Sequence, residues 1–181
     1  EEAMEQDQKI YLVTQRNVDS EDPTQEDLYQ MGIVADIKQV VRLQNDVVRI
    51  LVDGISRAAL LGFTDNEKYL EAEICYCDSN ADSLPEDLRE AMLLGVREAF
   101  HRYAAVVGKI SKELIRQIDQ YEDLEKLIDY VTNNLPVSYE LKQQVLEAED
   151  INDRYQVIVS LLLSQVEVIS IKNCLLYTSD A

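Results

Sequence analysis

The residues in this sequence that could do chemistry are a lysine behind a glycine, a lone histidine between arginines, and two cysteines one residue apart. A phosphate-cradling loop needs glycines five apart followed by Lys and then Ser or Thr, so that backbone N–H groups surround the phosphates. Gly108-Lys109 has Tyr103 where the first glycine belongs and Ile110 where the hydroxyl belongs, so ATP binding is not encoded here. The glycines at 32, 54, 62, 95 and 108 stand alone, which also excludes a dinucleotide-binding pattern. His101, four residues after Arg97 and beside Arg102, reads as a solvent-facing helical histidine. A catalytic base needs a nucleophile and an orienting partner, and neither is advertised nearby. Cys75 and Cys77 flank Tyr76 in a strand-like run, where a period of two turns both to one face at a spacing too close for an unstrained disulfide. With only Cys174 besides, and no further Cys or His pair, zinc is not expected and the thiols are expected to be reduced. The predicted sets are therefore empty for catalytic, cofactor-binding and metal-binding residues.

The net charge of −18 on 181 residues argues against nucleic acid as a partner, because phosphate binding relies on clustered Lys and Arg. The acidity is spread along the chain and reads as a solvated surface. The apolar run Leu161 to Leu163 is broken by Ser160, Ser164 and Glu167, so no membrane span is expected. The opening Glu1-Glu2-Ala3-Met4-Glu5 has neither the basic nor the apolar region of a secretory signal. Without an initiating Met it reads as a chain entered partway through.

The pattern of elements changes near residue 80. Before it, β-rich runs cover Ile10 to Gln15, Ile33 to Leu43, Val47 to Val52, Ala58 to Phe63 and Tyr69 to Cys77. Gln44-Asn45-Asp46 is a short polar connection suited to a hairpin. Pro23-Thr24 followed by Gln25 to Gln30 and then Gly32 reads as cap, short helix and stop. After the polar connector the period becomes 3.6. Ser83 with Glu86 can form a capping box, ahead of a stripe of Leu88, Met92, Val96, Phe100, Tyr103 and Val107. Ser111, Ser138 and Asp150 each precede further amphipathic segments. The expected fold class is α+β, a small and mostly antiparallel β-subdomain followed by a helical bundle.

Tyr11-Leu-Val-Thr-Gln-Arg-Asn17, then Glu21-Asp-Pro-Thr24, Asp27-Leu-Tyr29, and Gly32 with Val34-Ala-Asp-Ile-Lys38 closely resemble the N-terminal domain of bacterial Lon proteases. Val48 to Gly54 followed by Ser56-Arg57 continues the resemblance, which runs more loosely through Ser138 to Lys142, Leu146 to Asp150 and Leu161 to Leu163. Gln15, Arg16, Asn17, Asp53, Gly54 and Arg57 are its signature positions, read as fold markers. Asp53-Gly54 is expected to supply a turn between strands, with Gly accepting positive φ, and Arg57 to pair with a carboxylate. The resemblance implies a PUA-like β-subdomain, and a helical part leading to an AAA+ ATPase and a Ser-Lys protease domain in a cytoplasmic homohexamer. The implied role is to contact unfolded or damaged proteins and present them to the ATPase ring. ATP and magnesium are then implied for the full-length parent and no cofactor for this fragment.

The expected organisation is an incomplete β-subdomain over residues 1–78, a connector over 79–84, a helical subdomain over 85–173, and a non-native tail over 174–181. That tail, Cys174 to Ala181, departs from the family pattern and is similar to a translated transposase adapter. The runner-up reading is a stand-alone Lon-substrate-binding-like module without protease activity, and a P-loop encoded downstream would separate the two. Substrate-contacting residues are not legible in the sequence. Tyr29, Met31 and Phe63 are candidates, with core packing the favoured role for each.

Overall fold

The computed structural model describes residues 3, 7–20, 22–44, 47–64, 66, 68–78 and 80–179, with side chains to residue 175. The chain divides into two compact units, Glu1–Asp78 and Ser79–Ala181. A four-stranded antiparallel sheet followed by helices makes the protein α+β, as its change of period predicts.

In the first unit, β1 (Lys9–Leu12), β2 (Met31–Arg42), β3 (Val48–Thr64) and β4 (Glu71–Tyr76) lie side by side in chain order. Leu12 stands opposite Ile33, Ile37 opposite Val52, and Leu60 opposite Ile74. Three register shifts leave Lys38 on β2 and Ile55 and Leu61 on β3 without an opposing residue. Each is a bulge that breaks the period of two on the strand that carries the extra residue. The extra residues Ile55 and Leu61 face solvent. Gly54 and Gly62 sit beside these two bulges, where a strand must bend.

Three local expectations are corrected. Asp53-Gly54 is not a turn. The two runs flanking it are a single strand, β3, and Gly54 pairs with Ala35 next to the bulge. Among the described glycines positive φ occurs at Gly108 and not at Gly54. The segment after Pro23-Thr24 is a 3₁₀ turn of three residues, Gln25–Asp27, closed by a Thr24–Asp27 capping box. Gly32 is no helix stop but part of β2, and its missing side chain makes room for the Tyr11 ring. Residues 45 and 46 of the expected hairpin connection lie outside the described residues; on either side of them the Leu43 N–H donates to the Val47 carbonyl at 2.8 Å.

The second unit holds α1 (Glu86–Val107), α2 (Lys112–Gln120), α3 (Leu124–Asn134), α4 (Tyr139–Glu147) and α5 (Ile151–Ser179). Ser111 caps α2 by accepting from the Leu114 N–H, and Asp150 accepts from the Asp153 N–H at the head of α5. Ser83 belongs to a separate 3₁₀ turn, Ala81–Ser83, and its hydroxyl bonds the Asn80 carbonyl, so the position before α1 falls to Pro85 without a side-chain cap. Gly108 ends α1 in the left-handed conformation that favours glycine. The predicted stripe of α1 delivers Met92, Val96, Phe100 and Tyr103 to a core completed by Ile118, Leu127, Ile128, Val131, Ile158 and Leu162, whereas Leu88 stays exposed.

Residues 151–175 form a helix long and apolar enough, by length and composition, to cross a membrane, with a mean hydropathy of 1.5. Ser160 and Ser164 do not break this helix: a helical serine can return its hydroxyl to its own backbone, as Ser164 does to the Leu161 carbonyl at 2.8 Å. Ile151, Ile158, Leu161 and Leu162 of this helix are buried in the core of the unit, whereas Val168, Ile171 and Leu175 further along it are exposed.

Candidate functional site

The signature residues Gln15, Arg16 and Asn17 come together with the 3₁₀ turn through a backbone clip. The Tyr29 N–H donates to the Thr14 carbonyl at 2.9 Å and the Arg16 N–H to the Asp27 carbonyl at 2.6 Å, with Gln15 bridged to Leu28. The Gln15 amide donates to the Ser20 carbonyl at 3.1 Å, and the Asn17 side-chain oxygen accepts from the Asp19 N–H at 3.1 Å, so both residues brace the loop that follows. Arg16, like Asn17, is exposed. Its Nε donates to the Leu28 carbonyl at 3.1 Å and its guanidinium lies 4.4 Å from the centre of the Tyr29 ring, a cation–π stack.

Around this stack opens a cleft of about 460 Å³ lined by Arg16, Gln25, Glu26, Leu28, Tyr29, Gln30 and Leu60. Leu28 and Leu60 are buried and form an apolar floor, tied together where the Leu60 N–H donates to the Gln30 carbonyl at 2.7 Å. Gln25 reaches over to the carbonyl of the bulged Leu61 at 3.1 Å. The turn bearing Gln25 and Glu26 is held by Asp27, whose carboxyl is kept below its ordinary range by the Thr24 N–H and then by the Thr24 hydroxyl.

The remaining signature positions lie elsewhere on the sheet. Asp53 stands directly across from Asp36 on β2, and Asp36 is paired with Lys9 and Lys38. Buried Arg57 stands across from Ile33 and its carbonyl accepts from the Cys77 N–H. Of the three candidate contact residues, Tyr29 lines the cleft, and Met31 and Phe63 are half-buried in β2 and β3. Leu61, Gln25 and Gln30 were not singled out from the sequence. The available signal for Leu61 was Gly62 within an apolar β run, which marks a bulge.

The far ends of β2 and β3 make a second feature, a two-stranded ribbon on which Val40, Val41, Leu43, Val47, Val48, Ile50 and Leu51 are exposed. In the helical unit a cavity of about 550 Å³ is lined by Gln117, Gln120, Tyr121, Glu122, Asp123 and Tyr130, with the two tyrosine rings 4.9 Å apart. His101 is half-exposed and its Nε2 lies 2.7 Å from Asp119 Oδ1, bridging α1 and α2. Cys75, Cys77 and Cys174 are not joined in disulfides. Among the described residues no group of three or more His, Cys, Asp or Glu is placed to hold a metal ion.

The sequence profile of the ATP-dependent protease La (LON) substrate-binding domain matches residues 1–164. The chain belongs to the Lon substrate-binding domain family. Lon protease of Lachnoclostridium phytofermentans is 34% identical over 172 residues, covering 95% of this chain and 21% of the relative. Lon protease 1 of Hydrogenovibrio crunogenus is 34% identical over 167 residues, covering 92% and 20%. The chain therefore spans about a fifth of the length of the Lon proteases it matches. The N-terminal domain of a Mycobacterium avium complex Lon protease shares the fold, with a TM-score of 0.64 at 17% identity over 84% of this chain and 89% of that one. The resemblance read from Tyr11 to Lys38 is thus a true family relationship.

Proposed function

We propose that this chain is the client-gripping part of an ATP-dependent Lon-type serine protease that degrades unfolded or damaged proteins in the cytoplasm, and that the chain itself catalyses nothing. In this reading the parent is a homohexamer whose ATP, magnesium and Ser-Lys dyad belong to other domains, and neither nucleic acid nor a membrane is a partner. The observation that carries it is the match of a substrate-binding domain over residues 1–164. The exposed aliphatic ribbon from Val40 to Leu51 supports it, because contiguous exposed apolar surface is what a weakly selective protein-binding module offers to non-native chains.

The test is to incubate the purified chain with ATP, magnesium and a labelled, reduced casein-like protein. The expected result is no phosphate release and no cleavage, together with a rise in fluorescence anisotropy as the chain is titrated in. Binding is expected to be weak, because one module presents one small contact area and lacks the gain in effective concentration of a six-fold ring. Measurable ATP turnover or cleavage contradicts the non-catalytic part, and a flat anisotropy contradicts the client-gripping part.

A further inference from the structure

Arg16 is a cation that neutral groups hold in place at the cleft. Lys9, Lys38, Arg116, Lys126 and Arg154 have a carboxylate within ion-pair distance, whereas Arg97 and Lys142 donate to backbone carbonyls. Arg16 has no carboxylate at that distance among the described residues. It is held instead by neutral groups, the Leu28 carbonyl on its Nε and the Tyr29 ring beneath it. A guanidinium fixed in this way loses little rotamer freedom when it binds something further, and its Nη donors keep the fork geometry that matches a carboxylate. Beside it lies the apolar floor of Leu28 and Leu60, in a cleft whose volume of about 460 Å³ falls within the range of clefts that hold ligands.

We infer that the Arg16–Tyr29 cleft is a client subsite for an acidic residue next to a bulky apolar one: the carboxylate bonds the Arg16 guanidinium and the apolar side chain covers Leu28, Tyr29 and Leu60. This inference rests on the client-gripping reading and adds a sequence preference to it. Glu26 lines the same cleft and repels a carboxylate near it, so the acidic residue sits at the Arg16 end. The Gln25 and Gln30 amides at the rim can bond the backbone of an extended peptide without selecting its side chains. The subsite therefore selects among non-native segments and does not recognise a folded shape.

The experiment titrates the chain into two labelled unstructured peptides that differ only in Asp-Leu against Asn-Leu at their centre, with a labelled unfolded protein in parallel. The wild-type chain is expected to bind the Asp peptide about two- to fivefold more tightly than the Asn peptide, the size of effect of one exposed ion pair. The difference should shrink as salt is added, because the pair is exposed. Arg16→Gln should erase the discrimination. Arg16→Lys should keep only part of it, since the charge remains and the fork is lost. Arg16 is exposed, so both variants should melt with the wild type; if Arg16→Gln does not, Arg16→Lys carries the comparison. Equal binding of the two peptides by the wild type, or undiminished discrimination by Arg16→Gln, overturns the subsite. If the wild type still binds the unfolded protein in that case, the client-gripping reading stands and only the subsite falls. Discrimination between the peptides without binding of unfolded protein upholds the subsite and overturns that reading.

Discussion

The ring of Tyr11 on β1 lies directly over Gly32 on β2, so close that a methyl group at position 32 would come within 2.6 Å of the ring's Cζ and hydroxyl and collide with the Leu12 carbonyl. The tyrosine hydroxyl reaches past the glycine to the Ala58 carbonyl on β3 at 3.0 Å, which ties three strands together with one side chain. Burial, and then the Cys77 thiol nearby, push the Tyr11 phenol above its ordinary pKa, so it remains a neutral donor to that carbonyl.

Gly32→Ala should therefore destabilise the β-unit by about 1–3 kcal/mol, the usual cost of overpacking, because the Leu12 backbone cannot move aside as a flexible side chain could. Tyr11→Phe should cost about 1 kcal/mol, since it removes one hydrogen bond and keeps the ring. Urea denaturation of the two variants checks the ranking. A Gly32→Ala protein as stable as wild type would show that the contact is not tight.

Arg154 is buried in the helical core and donates to Asp129 and to the Val145 carbonyl, with Glu125 3.6 Å away. The two carboxylates reach solvent and the guanidinium does not: the Arg154 side chain is 2% exposed, Asp129 63% and Glu125 36%. Stability should accordingly be asymmetric. Removing both carboxylates, Glu125→Gln with Asp129→Asn, strands a buried charge and should cost about 3–5 kcal/mol. Arg154→Met fills much of the same volume with an apolar chain and should cost about 2 kcal/mol or less. Chemical denaturation of the helical unit decides between this order and its reverse.

Asp27 sets an acid limit on the cleft. Its carboxyl is held below the ordinary range by the Thr24 N–H and hydroxyl, so the stabilisation is present above the unfolded-state pKa and is lost as pH falls through the folded one. Protection of the Thr24 and Asp27 amides from exchange, taken relative to their intrinsic rates, should fall as the pH drops below the usual carboxylate range, and Asp27→Asn should remove that pH dependence. Unchanged protection in wild type down to the acid limit would rule the cap out as the brace of the Gln25–Glu26 wall.

The ribbon of β2 and β3 exposes aliphatic side chains beyond the reach of β1 and β4, whose pairings end at Asp36 and Ala58. Such edges invite pairing between copies. Ile50→Lys should reduce aggregation measured by light scattering while changing stability by no more than about 0.5 kcal/mol, because Ile50 is already exposed. A large loss of stability would show that Ile50 belongs to the core.

What could be read in advance depended on sequence separation. The run from Ile33 to Leu43 declares a strand by its wealth of Ile and Val, and Ser111 and Asp150 declare helix starts by a side chain that bonds three residues on. Gly32 and Gly54 were misread because the local pattern of each resembles a stop or a turn, while its actual reason is a partner far along the chain, Tyr11 for one and the bulge opposite Ala35 for the other. The Arg16–Tyr29 cleft exists only once residues 14–16 are clipped to 27–29, a pairing that no periodicity reports. The Arg154 cluster did leave a trace, since Glu125 and Asp129 stand four apart and so share one face of α3.

The central claim, that this chain grips proteins by their non-native segments, is tested most directly by titrating it against one labelled protein in its folded and its reduced, unfolded form, without ATP. The account predicts a saturable rise in anisotropy with the unfolded form and none with the folded form. Equal binding to both forms, or to neither, would contradict it.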